Sequence, residues 1–379
     1  MSKQTPAQRG FSMPAEWEPH EATWLSWPQN ATDWPGKMST IGWVYGEIVR
    51  KIAVGEKVRI LVGSAAVEAR ARRVLETARA DIRQVEFLHC PTDRGWMRDC
   101  GPIFVRRQRR GRVETAIVDF HFNGWARYDN WRADAGVPAF AAGLTGQRLF
   151  EAQSGGRQFI LEGGGIDVNG RGTLLTTEEC YLDPQVQVRN PGLAREDFQV
   201  AVRRYLGIEN VLWLGRGIAG DDTHGHVDDV CRFVNPTTVV LVQSKDPNDV
   251  DYAPLAENFE RLAGMRLEDG APIEIVPLPA PEPLFWRDQR LPASYANFYI
   301  ANAAVLVPTF NDPADRQALG ILAELFPDRT VVGIHAVDLV LGLGTLHCLT
   351  QQQPGQNQPL RERKKSRSTG RVPPGPCRV

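Results

Sequence analysis

The chain has 379 residues, long enough to bury a large core as one big domain or two, with 42% hydrophobic and 23% charged residues, the proportions of an ordinary soluble globular protein. The formal net charge is −1, but residues 355–379 hold seven basic residues against Glu362, a net +6, which leaves −7 on the rest. An acidic body argues against nucleic acid as its main partner and for a cationic ligand, and no run approaches the ~18 apolar residues of a membrane span.

In chain order, residues 13–36 are rich in proline and carry Trp17, Trp24, Trp27 and Trp34. They are too proline-rich for a helix, and residues 23–27 read as a short strand. Indoles here either line a pocket or cover core. Residues 41–53 read as a helix and 58–63 as a strand. Residues 66–79 read as a second helix, with Val67, Ala71, Val74, Leu75 and Ala78 on one face. Strands follow at 85–88 and, after a polar loop, at 103–105. A similar unit returns: helix 199–206, strand 210–214, polar loop 220–229, strand 238–242, helix 252–262 and strand 273–278. Residues 298–300 and 303–308 read as paired strands, 314–326 as a helix, and 330–333 as a strand. Repetition at about 60–80 residues, each unit ending in a polar loop, suggests several similar modules around a shared centre. Residues 337–341, apolar apart from Asp338, read as a largely buried strand leading into Gly342, Gly344 and Cys348. After Pro354 the composition turns to Gly, Pro, Gln, Ser, Lys and Arg. A single domain over 1–354 with a basic, disordered tail over 355–379 is expected.

The six cysteines are scattered, with no CxxC, and the N-terminus lacks an apolar signal region. A reduced, cytoplasmic and unsecreted protein is expected.

Four loops carry candidate chemistry. Cys348 follows two glycines that let the backbone bend tightly and approach a ligand, so it is either a nucleophile at a pocket mouth or a buried core thiol. In Trp96-Met97-Arg98-Asp99-Cys100-Gly101-Pro102, Asp99 is either a site carboxylate or a turn residue paired with Arg98. Glu162 faces Gly163, Gly164 and Gly165, which permit close approach of a ligand or form a hairpin turn. These glycines lack the Lys and Ser/Thr of a phosphate loop. In residues 220–231, an extended backbone would put His226 and Asp228 on one face. That pair suits proton transfer, while His224, His226, Asp228 and Cys231 could instead hold a metal. One thiol, one histidine and three carboxylates together fit a planar guanidinium with five N–H donors, which two carboxylates can hold as a fork. Its carbon is a poor electrophile. Attack on it needs a thiolate, and a histidine to protonate departing ammonia.

The chain resembles the agmatine deiminase family, relatives of the porphyromonas-type peptidylarginine deiminases within the guanidine-modifying superfamily. The motifs are Met13-Pro14-Ala15-Glu16-Trp17-Glu18-Pro19-His20, residues 96–102, Leu161-Glu162-Gly163-Gly164, Thr173-Leu174-Leu175-Thr176-Thr177-Glu178-Glu179-Cys180, Gly225-His226-Val227-Asp228 and His347-Cys348-Leu349-Thr350-Gln351-Gln352-Gln353-Pro354, in the family's order over residues 13–354. The resemblance implies a five-bladed α/β propeller (pentein) of ββαβ-type modules with the site at its centre. It implies Cys348 as the nucleophile, His226 as general acid and then base, and Glu162 as the carboxylate orienting His226. Asp99 and Asp228 would clamp the guanidinium, with Trp96 beside it. No metal or organic cofactor is implied. The expected partner is a small cationic guanidinium substrate, with no nucleic acid on the body and no membrane; a homodimer is kept open.

The family usually has a more glycine-rich run with Asn before His-Cys, where this chain has Gly342-Leu343-Gly344-Thr345. His224 stands where an Asn is usual, and Phe122-Asn123 leads to Gly124-Trp125-Ala126-Arg127 instead of Gly-Gly-Lys-Tyr. The activity expected is agmatine hydrolysis to N-carbamoylputrescine and ammonia, feeding putrescine synthesis. The alternatives are a deiminase of peptidyl or free arginine, with Arg127 a candidate carboxylate partner, a metal-dependent hydrolase using His224, His226 and Asp228, and a non-catalytic binder of cations.

Overall fold

The computed structural model describes residues 4–355; the basic tail expected beyond that point lies outside the described residues. Its mixed α/β architecture holds, among the described residues, two small two-stranded sheets and five larger sheets that share one plan. In each of the five, two strands pair antiparallel, the chain crosses over through a helix, and a third strand adds parallel to the second. Residues Ile103–Arg109, Arg112–Asp119 and Arg148–Glu151 form one such sheet, crossing over through the helix Val137–Thr145. Asp167–Val168, Thr173–Thr177 and Asn210–Leu214 form the next, with the helix Arg195–Leu206. Cys231–Phe233, Thr238–Gln243 and Glu274–Pro279 follow, with Tyr252–Ala263. Then come Tyr299–Ile300, Ala304–Thr309 and Thr330–His335, with Ala314–Leu325. The remaining sheet joins the two ends of the described chain. Gln351–Pro354 runs antiparallel to His20–Ser26, which is parallel to Lys57–Val62 across the helix Met38–Ile52, and Val85–His89 adds after Ala65–Thr77.

The helices form where apolar residues recur at helical spacing. Ile41, Tyr45, Ile48, Val49 and Ile52 make one buried face of Met38–Ile52. Gly46 on that face sits so close to the next helix that a Cβ there would lie 2.9 Å from Ala78 Cβ. Ser64 caps the second helix by accepting from the Val67 amide at 3.3 Å. The second strands of several sheets are buried on both faces, as in Thr238 to Val242, because helices cover one side and the rest of the molecule the other. Trp24 and Trp34 are core, and Trp34 also stacks against Trp96 at 5.4 Å between centroids. No helix among the described residues is long and apolar enough to cross a membrane.

Most expected elements are present within one to four residues of their expected ends, and three differences matter. The sheet over residues 103–151 was not foreseen beyond its first strand, because Arg106 to Arg112 is nearly all polar and reads as loop. Residues 337–341 do not form a strand. The parallel slot beside Ala304–Thr309 is already filled by Thr330–His335, and Leu339–Gly342 turns as a 3₁₀ helix, with the Val340 amide on the Ala336 carbonyl at 2.9 Å. Residues 225–230 are not extended either. The amides of Gly225 and His226 donate to the Asp221 side chain at 2.8 and 3.0 Å, and Val227–Asp229 is a 3₁₀ turn.

The plan places the chemistry. Each sheet's last strand returns the chain to a connection that precedes the next sheet's first strand, and the candidate groups stand there. Asp99 precedes Ile103, Glu162 precedes Asp167, Asp228 precedes Cys231, Asn297 precedes Tyr299 and Cys348 precedes Gln351.

Candidate active site

Cys348 lies on the helical turn Leu346–Leu349 and is 5% exposed. Gly344 faces it, and a Cβ there would come 2.8 Å from the Trp96 ring and 3.1 Å from Cys348 Sγ, so only glycine lets the indole and the thiol close on one another. Trp96 is held edge-on by its own indole N–H, which donates to Asp33 at 3.2 Å. Asn297 positions the turn. Its Oδ1 accepts from the Thr345 hydroxyl at 2.7 Å and the His347 amide at 3.1 Å, and its Nδ2 donates to Cys348 Sγ at 3.1 Å and Asp229 at 2.9 Å. Thr345, one of the departures before the cysteine, therefore has a partner inside the site. Leu343, the other, adopts a left-handed φ of 65° that glycine takes without strain.

Asp228 Oδ2, 3.7 Å from the thiol, also packs against Gly164. A Cβ there would sit 2.6 Å from His226 Nδ1, 2.8 Å from Asp99 Oδ1 and 3.0 Å from Asp228 Oδ2. Three ionisable groups from two connections therefore converge on the bare backbone of a third. Asp99 is anchored by the Gly164 amide and the Trp125 indole, both donating at 3.0 Å. Burial pushes its carboxyl up to about 6, and the neighbouring Asp228 and Glu162 charges add to this against the pull of His226. In Asp228 one oxygen accepts from His347 Nδ1 at 2.7 Å, and the other is buried without a partner. Burial works against its charge, but the His347 bond holds it below the usual carboxylate range.

His226 is 1% exposed, and neither ring nitrogen has a hydrogen-bond partner. Nδ1 is 3.8 Å from Asp99 and Nε2 is 3.5 Å from Glu162. Burial alone would favour the neutral ring; Asp99, Cys180 and Glu162 outweigh it and keep the imidazolium well above its ordinary range. Glu162 caps the 3₁₀ turn Gly163–Gly165, and Arg189 Nε donates to both its oxygens at 2.9 and 3.2 Å. Burial opposes ionisation there, and Arg189 and His226 together more than offset it. The Cys348 thiol is driven well above its usual value by burial and by the charges of Asp228, Asp229 and Asp99. Its Sγ–H points toward Asp228 Oδ2 at 3.7 Å.

The structure thus brings together Cys348, His226, Glu162, Asp99, Asp228 and Trp96. It does not bring together His224, His226, Asp228 and Cys231. His224 turns away to Asp183 at 2.8 Å, and Cys231 lies fully buried in a strand opposite Leu241. Arg98 is not paired with Asp99 either; it reaches Glu16 at 3.1 Å and Gln352 at 2.8 Å. Arg127 is half exposed and paired with Asp222 at 3.1 Å.

Sequence reasoning missed the groups that hold these residues. Glu16 accepts from Arg98, the Ile300 amide and His347 Nε2, the last at 2.8 Å, and forms an ion pair with Arg232 at 3.1 Å. Burial works against its charge, yet the three cations keep it ionised well below the usual range. His347 therefore bridges two carboxylates through both ring nitrogens, which makes both of them donors. Glu16 and His347 were visible in their motifs; Asn297 and Arg189 carried no local signal.

Residues 12–354 match the family described as Porphyromonas-type peptidyl-arginine deiminase. The chain is 35% identical over 373 residues to an agmatine deiminase of Ectopseudomonas mendocina, covering 92% of this chain and 97% of that protein. It is 38% identical over 375 residues to an agmatine deiminase of Pseudomonas putida, with coverage of 92% and 97%. The solved structure of an agmatine deiminase of Enterococcus faecalis superposes with a TM-score of 0.85 at 31% identity, covering 93% of this chain and 98% of that one.

Proposed function

The chain belongs to the Porphyromonas-type peptidyl-arginine deiminase family, and from that premise we propose that it is an agmatine deiminase, converting agmatine and water to N-carbamoylputrescine and ammonia. It is a hydrolase of C–N bonds in linear amidines, and its product feeds polyamine synthesis. The observation that carries the reading is the convergence of Asp99, Asp228 and His226 on the bare face of Gly164, with Asp228 Oδ2 3.7 Å from the Cys348 sulfur.

A guanidinium there would donate N–H bonds to Asp99 and to the unpartnered oxygen of Asp228. Its positive charge would offset the carboxylates that hold the Cys348 thiol protonated, so substrate binding itself favours the thiolate, the thiol proton passing to solvent. Asn297 Nδ2 stabilises the sulfur anion. Sγ attacks the guanidinium carbon to form a tetrahedral adduct. His226 gives its proton to the departing nitrogen, and ammonia leaves an amidino group on sulfur. The now neutral His226 takes a proton from water, which attacks the same carbon. The C–S bond breaks, the proton on the new hydroxyl passes to solvent, the thiolate returns and the ureido product departs. Glu162, fixed by Arg189, favours the protonated ring at the first step and orients it at the second.

Two features support agmatine over arginine. The site is deeply buried, with Cys348, His226, Asp99 and Asp228 each at most 5% exposed, which suits a slim substrate. Arg94 and Arg127 are already neutralised, by Asp33 at 2.7 Å and by Asp222, so neither is free among the described residues to pair with an α-carboxylate. We also read the five sheets as the blades of a five-bladed propeller. The shared plan of the sheets and the pairing of Gln351–Pro354 with His20–Ser26, which would close the ring, support this. The test is release of ammonia and ureido product from agmatine, free arginine and an arginyl peptide. Turnover of agmatine that survives in Cys348→Ala would sink the mechanism, and preference for either arginine substrate would sink the substrate assignment.

A further inference from the structure

We propose that Glu162, Cys180 and His226 form a binding site for Zn²⁺, and that filling it shuts the enzyme down. The three offer a carboxylate oxygen, a thiol sulfur and a ring nitrogen that all lie within 4.8 Å of one another, and all three residues are buried. That donor set is the one zinc takes, with three protein ligands and a fourth position left to solvent. A second observation points the same way: both nitrogens of His226 are buried without a hydrogen-bond partner, so loss of one ring proton opens a lone pair to an ion without breaking a hydrogen bond. Cys180 is a free thiol on the turn Glu178–Leu182, where its amide is capped by the Thr177 hydroxyl at 3.1 Å. Glu162 is oriented by Arg189, an outer-shell donor of the kind that fixes ligating carboxylates.

The ion would bind the Glu162 carboxylate, the Cys180 sulfur as thiolate and an unprotonated nitrogen of His226. The thiol proton and the proton displaced from the ring pass to solvent. No electrons move, and the two anions match the ion's two charges. With His226 neutral and fixed to the metal, it can neither protonate departing ammonia nor receive a proton from water. This inhibitory consequence rests on the deiminase reading above; metal binding itself does not.

Cys348 is the rival sulfur, so the test must tell two thiols apart. Co²⁺ added to the intact, metal-free protein reports thiolate ligation through a near-ultraviolet charge-transfer band, and Zn²⁺ competes for the same site. The band is expected in the wild type and in Cys348→Ala, and it disappears in Cys180→Ala. Glu162→Gln, which keeps the thiol, should retain the band and bind at least tenfold more weakly. Zn²⁺ should inhibit agmatine turnover reversibly, with a chelator restoring it, and inhibition should be at least tenfold weaker in Cys180→Ala relative to that variant's own metal-free rate. No thiolate band in the wild type overturns the proposal. So does a band lost in Cys348→Ala and kept in Cys180→Ala, which would put the ion on the nucleophile. Absence of ammonia release from agmatine in metal-free wild type would instead count against the deiminase reading, leaving the cobalt spectra to decide the site.

Discussion

Gly164→Ala adds one methyl group where His226, Asp99 and Asp228 pack against bare backbone. The new carbon would stand 2.6 Å from His226 Nδ1, 2.8 Å from Asp99 Oδ1 and 3.0 Å from Asp228 Oδ2, all well inside van der Waals contact. It must push those groups apart and so misplace the two carboxylates proposed to hold the guanidinium. Charge-assisted hydrogen bonds contribute about 1.5–3 kcal/mol each. Losing one bond to Asp99 and one to Asp228 would cost about 3–6 kcal/mol in bound transition state, or about 10²–10⁴-fold in kcat/KM at 1.36 kcal/mol per tenfold. The backbone at Gly164 is not in the left-handed region, so the effect is steric and not conformational. The assay is steady-state ammonia release from agmatine, with a thermal melt beside it to show that the fold is retained. A variant with the wild-type Tm and kcat/KM within threefold would refute the placement of the guanidinium at this face.

Other substitutions test the supporting groups. Asn297→Ala removes the donor to Cys348 Sγ and should lower kcat about 100-fold, the cost of one strong preorganised donor, with a much smaller change in KM; stopped assays over a substrate range would separate the two. Glu16→Gln leaves Arg98, Arg232 and His347 buried around a neutral side chain. Breaking a buried charge set of this kind costs about 3–5 kcal/mol, so denaturant unfolding should show a loss of that size, and an unchanged midpoint would contradict the bridge. Asp99 must be ionised to hold a guanidinium, and its carboxyl is pushed up to about 6, so kcat/KM should rise with pH through that region. Trp125→Phe removes a donor that favours the charged form. The acidic limb should therefore move to higher pH, and a limb that stays put or moves down would count against the assignment.

Much of the fold was legible along the chain. The helices at Met38–Ile52, Ala65–Thr77 and Tyr252–Ala263 follow from apolar spacing, and the paired strands Tyr299–Ile300 and Ala304–Thr309 from short apolar runs. The arginine-rich hairpin at 103–119 was not, because its polar outer residues hide the alternation that marks a strand. For the site, Cys348, His226, Asp99, Glu162 and Asp228 stood out as reactive types beside glycines. Asn297 did not, being an asparagine among apolar neighbours, with nothing local to show that it reaches a cysteine 51 residues on.

By itself the sequence determined which side chains could react, because thiol, imidazole and carboxylate chemistry belongs to the residue. Its periodicity determined most helices and strands, because burial of one face acts over a few residues. Only the tertiary structure decided that residues 99, 162, 226, 297 and 348 share one centre, since that depends on five sheets repeating one crossover and returning each connection to the same place. It also decided their charge states. Those depend on burial and on partners far along the chain, as with Glu16 and His347, 331 residues apart and 2.8 Å from bonded nitrogen to oxygen.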